Sequence, residues 1–313
     1  MTDDHPKLVR RTSGENIWLA RPGRPAEQEL ARWSPHELSR EVLASEQAVG
    51  EAMLAELETL ARTKDGDLVV ILLGGRGAQA LHRLLGERAR KARGTQDALI
   101  ARMRVFTQDA LAPMRMTSGY SFVRDFERLL GDDFFAQVKS FDCVRTDADD
   151  LEAEVTDYVH RLETLGGADI FFLGHGPEAQ AASHLAYIKP YSGATAIDVA
   201  GLIPISLSIL EHHITKFKAG GSAISPEDED ECRRATHIFT LGPSAILGAK
   251  RIVQSIVDAD TAPAKRQSYG RVLETTLSDD PRERALQLDE NPGLWIRLHP
   301  NAKSLVLPNV LVS

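Results

Sequence analysis

The sequence predicts an α/β protein built on a doubly wound, mostly parallel β-sheet with helices on both faces. Three observations carry this. Leu68-Val69-Val70-Ile71-Leu72-Leu73 is an unbroken apolar run, as expected of a strand covered on both faces. Gly74-Gly75-Arg76-Gly77 follows and leads into a helical pattern over residues 78–92; strand, glycine turn and helix open a doubly wound unit. Beyond it, strand-like and helix-like segments alternate to the end without a Pro/Gly/Ser-rich linker, so residues 36–313 are expected to form a single α/β domain.

Residues 1–35 are polar and broken by Gly14, Pro22, Gly23 and Pro25. They read as a weakly structured arm that Trp18 and Trp33 could pin to the body. Ser34-Pro35 offers an N-cap with proline at the first helical position and Glu37 two residues on. The helix it opens runs to residue 63, with Val42, Val49, Met53, Leu57 and Leu60 at helical spacing. Strands are expected at 68–73, 100–106, 169–173, 236–241 and 304–307. Helices are expected at 78–92, 120–130, 148–164, 204–217 and 245–257. The acidic run Glu227-Asp228-Glu229-Asp230-Glu231 reads as a solvated helix start, because carboxylates suit a first turn.

Composition narrows the function. Thirty-seven Lys and Arg against 45 Asp and Glu leave a net charge of −8, which argues against nucleic acid or an anionic membrane as the partner. The two cysteines, Cys143 and Cys232, cannot build a disulfide scaffold or a thiolate zinc site. No apolar run approaches a membrane span, and a cytoplasmic location is expected. His212 and His213 are adjacent on a helix, so they cannot face one ion together, and surface or capping roles are expected for them. No metal and no cofactor is expected.

In open parallel sheets, ligands bind beyond the carboxyl ends of the strands. The first such end, Gly74-Gly75-Arg76-Gly77, could offer backbone amides to a phosphate. Gly75, Gly77 and Ala80 also fit a Rossmann dinucleotide fingerprint, but Asp97 precedes the next strand instead of ending it. An NAD(P)-binding oxidoreductase is therefore the third choice. The second end carries Gln108-Asp109, the third Gly174-His175-Gly176-Pro177-Glu178, and the fourth Gly242-Pro243-Ser244, which lacks a serine-hydrolase elbow.

These segments, in this order, resemble the glucosamine-6-phosphate deaminase and 6-phosphogluconolactonase family. Leu72-Leu73-Gly74-Gly75-Arg76-Gly77 looks like its phosphate loop T-G-G-[ST]-P. Gln108-Asp109-Ala110-Leu111-Ala112-Pro113 is similar to D-E-[RY]-x-[VG]-[PL], and Ser118-Gly119-Tyr120 to S-[NY]-Y. Residues 173–183 are similar to L-G-[IM]-G-x-D-G-H-x-A-[FS]. Residues 239–250 and Leu298-His299-Pro300-Asn301 resemble two deaminase segments, the second being L-H-P-[NK]. Lys265, nine positions before Glu274, takes the place of the phosphate-binding lysine. The deaminase branch is the closer one.

The resemblance implies a modified Rossmann-like fold, a small sugar-phosphate ligand and a homo-oligomer of unspecified size. It also exposes departures. The carboxylate that takes the proton from the sugar C2 becomes Gln108, which is no base. Laid over the chain without gaps, the ring-opening Asp and His become Glu178 and Gln180. A gapped version places His184 there, followed by Leu185-Ala186-Tyr187-Ile188-Lys189-Pro190; the ungapped one is preferred because it needs no insertion. The phosphate-contacting arginine, expected in 198–213, has no counterpart, and Arg76 could replace its charge. The expected site is thus Asp109, His175 and Glu178 for catalysis, with His175 titrating near neutrality. Gly74, Gly75, Arg76, Gly176, Gln180 and Lys265 would hold the substrate. The expected function is a hexosamine-6-phosphate-like isomerase or deaminase with altered chemistry. A catalytically inactive sugar-phosphate binder is the alternative.

Overall fold

The computed structural model describes residues 8–311. In chain order the strands are β1 (Val9–Ser13), β2 (Asn16–Ala20), β3 (Ser39–Val42), β4 (Leu68–Leu72), β5 (Met103–Thr107), β6 (Asp109–Ala112), β7 (Ser140–Asp142), β8 (Ile170–Leu173), β9 (Gly176–Pro177), β10 (Ser183–His184), β11 (Asp198–Pro204), β12 (His237–Leu241), β13 (Arg251–Ile256) and β14 (Ala302–Val306). Seven of them form a sheet in the order β3-β14-β13-β8-β4-β5-β7, with every pairing parallel. Five form a second sheet, β1-β2-β11-β12-β6, antiparallel throughout.

Strand β4 shows why the parallel sheet reads as a continuous apolar run. All five of its residues are buried, and side chains alternate between faces along a strand. Val69 and Ile71 join a core shared with the second sheet and the helix Leu151–Thr164. Leu68, Val70 and Leu72 join a core beneath the helices Glu46–Thr63 and Gln79–Lys91. Among the described residues, no helix is long and apolar enough to cross a membrane.

Several expectations need correction. Within the segment read as a weak arm, β1 and β2 form a hairpin that adds to β11. Side chains hold it there. Trp18 is fully buried and donates its indole N–H to the Ser192 carbonyl at 3.1 Å; Arg11 pairs with the buried Asp198. A strand as polar as Val9-Arg10-Arg11-Thr12-Ser13 carries little apolar alternation of its own, so pairing and pinning decide its state. Residues 1–7 lie outside the described residues.

Ser34-Pro35 caps no helix. The chain instead runs through the exposed edge strand β3, and Ser45 caps the helix Glu46–Thr63, its Oγ accepting from the Ala48 amide at 3.1 Å. The expected fourth strand forms as β12 but lies antiparallel in the second sheet. The helix expected over 245–257 is only Pro243–Leu247; Arg251–Ile256 is a central parallel strand, as its β-branched Ile252, Val253 and Ile256 favour. The expected helix over 204–217 begins later, as Leu207–Ala219 behind β11. The acidic run does start a helix, Pro226–Arg233, with a capping box between Ser225 and Asp228.

Replacing Trp18 by alanine should cost roughly 3–5 kcal/mol, the range for deleting a buried aromatic. Urea unfolding measures it; a loss below about 0.5 kcal/mol, as for a surface site, would mean the hairpin is no part of the folded body.

Candidate active site

The carboxyl ends of β13, β8, β4 and β5 are neighbours in the sheet. The turns leaving them, with the helix Leu207–Ala219, border a cleft of about 320 Å³, large enough for a small metabolite. After β4, Gly74 must be glycine: a Cβ there would lie 2.2 Å from the Phe122 ring. Gly75 follows with φ +77°, a conformation that suits glycine. Gly77 packs against Ser255, whose hydroxyl donates to the Gly77 carbonyl at 2.7 Å. The turn is thereby tied to the end of β13.

After β5 the chain changes sheets. The Gln108 amide donates to the Leu72 carbonyl of β4 at 3.1 Å, and the Gln108 carbonyl accepts from the Leu241 amide of β12 at 2.9 Å. This crossing fixes the backbone on which Asp109 sits, opposite Thr240. Asp109 borders the cleft and accepts from Gln108 Nε2 at 2.5 Å. Burial pushes its carboxyl up to about 7, against the hydrogen bond from Gln108. Gln108 and Asp109 both border the cleft, and Asp109 supplies its carboxyl there.

After β8, Gly174, His175 and Gly176 border the cleft. His175 is buried, bonded through Nε2 to Ser268 Oγ at 2.8 Å, with no partner for Nδ1. The expectation that it titrates near neutrality fails: burial, then Lys265, pushes it down to about 3. Glu178 does not border the cleft; its Oε1 accepts from His184 Nδ1 at 2.6 Å. That bond commits Nδ1 to Glu178 and leaves Nε2 as the ring nitrogen not held by it. His184 stacks on Tyr187 at 5.3 Å and lies over Gly176, where a Cβ would meet Nε2 at 1.7 Å.

Gln180, expected to touch substrate, is exposed on a short 3₁₀ turn outside the cleft. Of the two residues that the ungapped and gapped alignments set at the ring-opening position, Gln180 and His184, only His184 borders the cleft. His-Leu-Ala-Tyr at 184–187 was the available signal.

A charge cluster in the cleft includes two residues that the sequence did not point to, Asp258 and Lys216. Asp258, just beyond β13, is buried and bonds Lys265 Nζ at 2.5 Å and Lys216 Nζ at 3.1 Å. Burial alone would raise its carboxyl, but Lys265 and then Lys216 hold it well below the usual carboxylate range. Lys265, in the helix Ala264–Glu274, is pushed down to about 8 by burial and then by Lys216. Two ammonium groups around one carboxylate leave one net positive charge, a ready anion site. Lys216 stands three residues past the segment searched for the phosphate-contacting arginine. Asp258 was hidden because its strand was read as helix.

His212 borders the cleft one helical turn before Lys216, and burial, then Lys216, pushes it down to about 3. His213 is buried and donates from Nε2 to the Tyr120 carbonyl at 3.0 Å. Neither is a surface or capping group. Arg76 borders the cleft, yet its guanidinium is paired with Glu46. Among the described residues, no group of three His, Cys, Asp or Glu could hold a metal ion.

His299 of the L-H-P-N tetrad lies outside the cleft. It donates to the Ala249 carbonyl at 2.7 Å and accepts from the Asn301 amide at 3.1 Å, so it staples the chain before β14.

Solved structures share this architecture. The chain matches a monomeric glucosamine-6-phosphate deaminase with a TM-score of 0.65 at 18% identity, over 87% of this chain and 98% of that one. It matches the 6-phosphogluconolactonase of Thermotoga maritima with a TM-score of 0.58 at 16% identity, over 86% and 99%. For the Trypanosoma brucei 6-phosphogluconolactonase the values are 0.52, 16%, 89% and 98%. The fold is therefore the one the sequence motifs resembled. No family profile and no curated protein matches the chain.

Asp109 gives a pH prediction. A carboxyl raised from 3.8 to about 7 on folding contributes stability that is present below pH 4 and lost as pH rises to 7. Asp109→Asn should escape that loss. Its stability relative to the parent should climb from pH 4 to 7, by up to about 4 kcal/mol, then stay flat. Urea midpoints across pH test this, and a pH-independent difference would contradict it.

Proposed function

We propose that the protein acts on a hexose phosphate, hexosamine-6-phosphate-like, moving a proton on the sugar carbon chain in an isomerase- or deaminase-type reaction. The observation that carries this is the Lys216–Asp258–Lys265 cluster in the same cleft as Asp109 and His184. The phosphate sits between the two lysines and the Gly75–Gly77 amides. Gly74 and Gly176 let Phe122 and His184 close against the turns that border the site, and His175 offers a neutral imidazole. The solved neighbours are named for sugar-phosphate deamination and lactone hydrolysis, in keeping with such a ligand.

Asp109 takes the proton next to the sugar carbonyl and returns it to the neighbouring carbon. A carboxyl near 7 suits that work, because a base poised close to ambient pH is present in both forms. His184 Nε2 serves ring opening, moving the proton between the ring oxygen and the anomeric hydroxyl. Glu178 orients it by holding Nδ1–H. Gln108 supplies an amide donor to Asp109 in place of a second carboxylate.

Gln108 at the usual base position favours a second reading, a binder without turnover. A panel of glucosamine 6-phosphate, glucose 6-phosphate and 6-phosphogluconolactone separates the two. A ligand at a hundred times its Kd should add about 2.7 kcal/mol to stability, and at least one should be turned over. Asp109→Asn should lower kcat about 10²–10⁴-fold, the range for a lost general base, while ligand still raises Tm. Lys265→Ala should abolish the Tm shift. A Tm shift with no turnover on any compound supports the silent binder; no shift at all contradicts both readings.

A further inference from the structure

We propose that Arg76 is a movable second anion clamp, held aside by Glu46, that makes the site select a doubly charged phosphate over a singly charged anion of the same shape. The inference rests on the anion-binding reading above and assigns the ligand's charge.

Arg76 follows Gly75 directly in the turn after β4 and borders the cleft. Its guanidinium faces Glu46, with Nη2 and Nε at 2.5 and 3.2 Å from the same carboxylate oxygen. Nη1 reaches Thr261 Oγ1 at 3.3 Å, a long bond. Of the five donors of an arginine, two N–H groups therefore remain unused. The charge of Asp258 also acts on Arg76, which places the guanidinium within electrostatic reach of the carboxylate that gathers the two lysines.

Charge counting gives the pair its meaning. Around the proposed phosphate position, apart from Asp109 at the other end of the cleft, Lys216, Lys265 and Asp258 carry one positive charge when both lysines are protonated, and Arg76 with Glu46 carries none. A monoanion is balanced by the lysine cluster alone. A phosphate dianion leaves one negative charge uncompensated beside the lysine cluster, unless Arg76 turns toward it. Turning is easy. The side chains of Arg76 and Glu46 are 40% and 32% exposed, and ion pairs of that kind contribute about 0.2–1 kcal/mol. Glu46, left behind, keeps water and the first turn of its own helix, where a carboxylate is favoured. In exchange Arg76 makes charge-assisted bonds to phosphate oxygens, which its planar fork suits.

Calorimetry with glucose 6-phosphate and glucose 6-sulfate at pH 7.5 tests this, since the sulfate ester keeps the shape but carries one charge. The parent protein should prefer the phosphate. Arg76→Gln should weaken the phosphate about tenfold or more, as for a hydrogen bond to a charged group, and move the sulfate by less than about twofold. Glu46→Gln should tighten the phosphate by up to about fivefold, the value of the released pair, and leave the sulfate unchanged. Equal weakening of both ligands by Arg76→Gln, or no tightening by Glu46→Gln, overturns the clamp. Failure of the parent to bind either ester overturns the anion-binding reading instead.

Discussion

A buried carboxylate holding two ammonium groups is the constraint on which the cleft depends. Asp258 can stand there only because β13 is an interior strand of the parallel sheet, delivering its last residues beside the turns after β8 and β4. Lys216 and Lys265 arrive from two separate helices, so the carboxylate also ties those helices together. Breaking such a pair from one side leaves a buried charge without a partner, typically at about 3–5 kcal/mol. The arrangement is stable as it stands, yet it retains one positive charge facing the ligand space. The structural tie and the proposed anion site are the same three side chains.

The part of the cleft proposed to face the sugar holds groups of suppressed charge. His175 and His212 are kept neutral by burial and by the neighbouring lysines. Asp109 is kept near its midpoint at neutral pH by the same burial. A neutral imidazole can bond a hydroxyl without competing for the phosphate, and a carboxyl near 7 can both take and return a proton. The backbone crossing at Gln108 makes this precise, because bonds to both sheets hold it from either side. Asp109 is the carboxyl that this crossing places in the cleft, with Gln108 Nε2 donating to it.

Much of the fold was legible. Leu68–Leu72, followed by its glycine turn and helix, could be read because a strand buried on both faces has a pattern no surface element shares. The glycine turns after β4 and β8 also lead where expected. What escaped was set by distant partners. The hairpin β1–β2 has polar strands and owes its place to Trp18 and Arg11 meeting residues far along the chain. Residues 251–256, preceded by a short helix, look helical in spacing, and only their position between β8 and β14 makes them a strand. Losing β13 meant losing Asp258. Lys216 and His212 share a helix face one turn apart, a pairing visible in the sequence once that helix is placed. For His184 the signal was the His-Leu-Ala-Tyr stretch, which only the gapped alternative set at that place.

The most direct test of the central claim is a crystal structure of the protein soaked with glucose 6-phosphate. The account predicts phosphate oxygens bonded to Lys216 Nζ, Lys265 Nζ and the amides of the Gly75–Gly77 turn, with the sugar reaching toward Asp109 and His184 Nε2. A phosphate bound elsewhere, with both lysines still closed on Asp258 and the cleft unfilled, would contradict it.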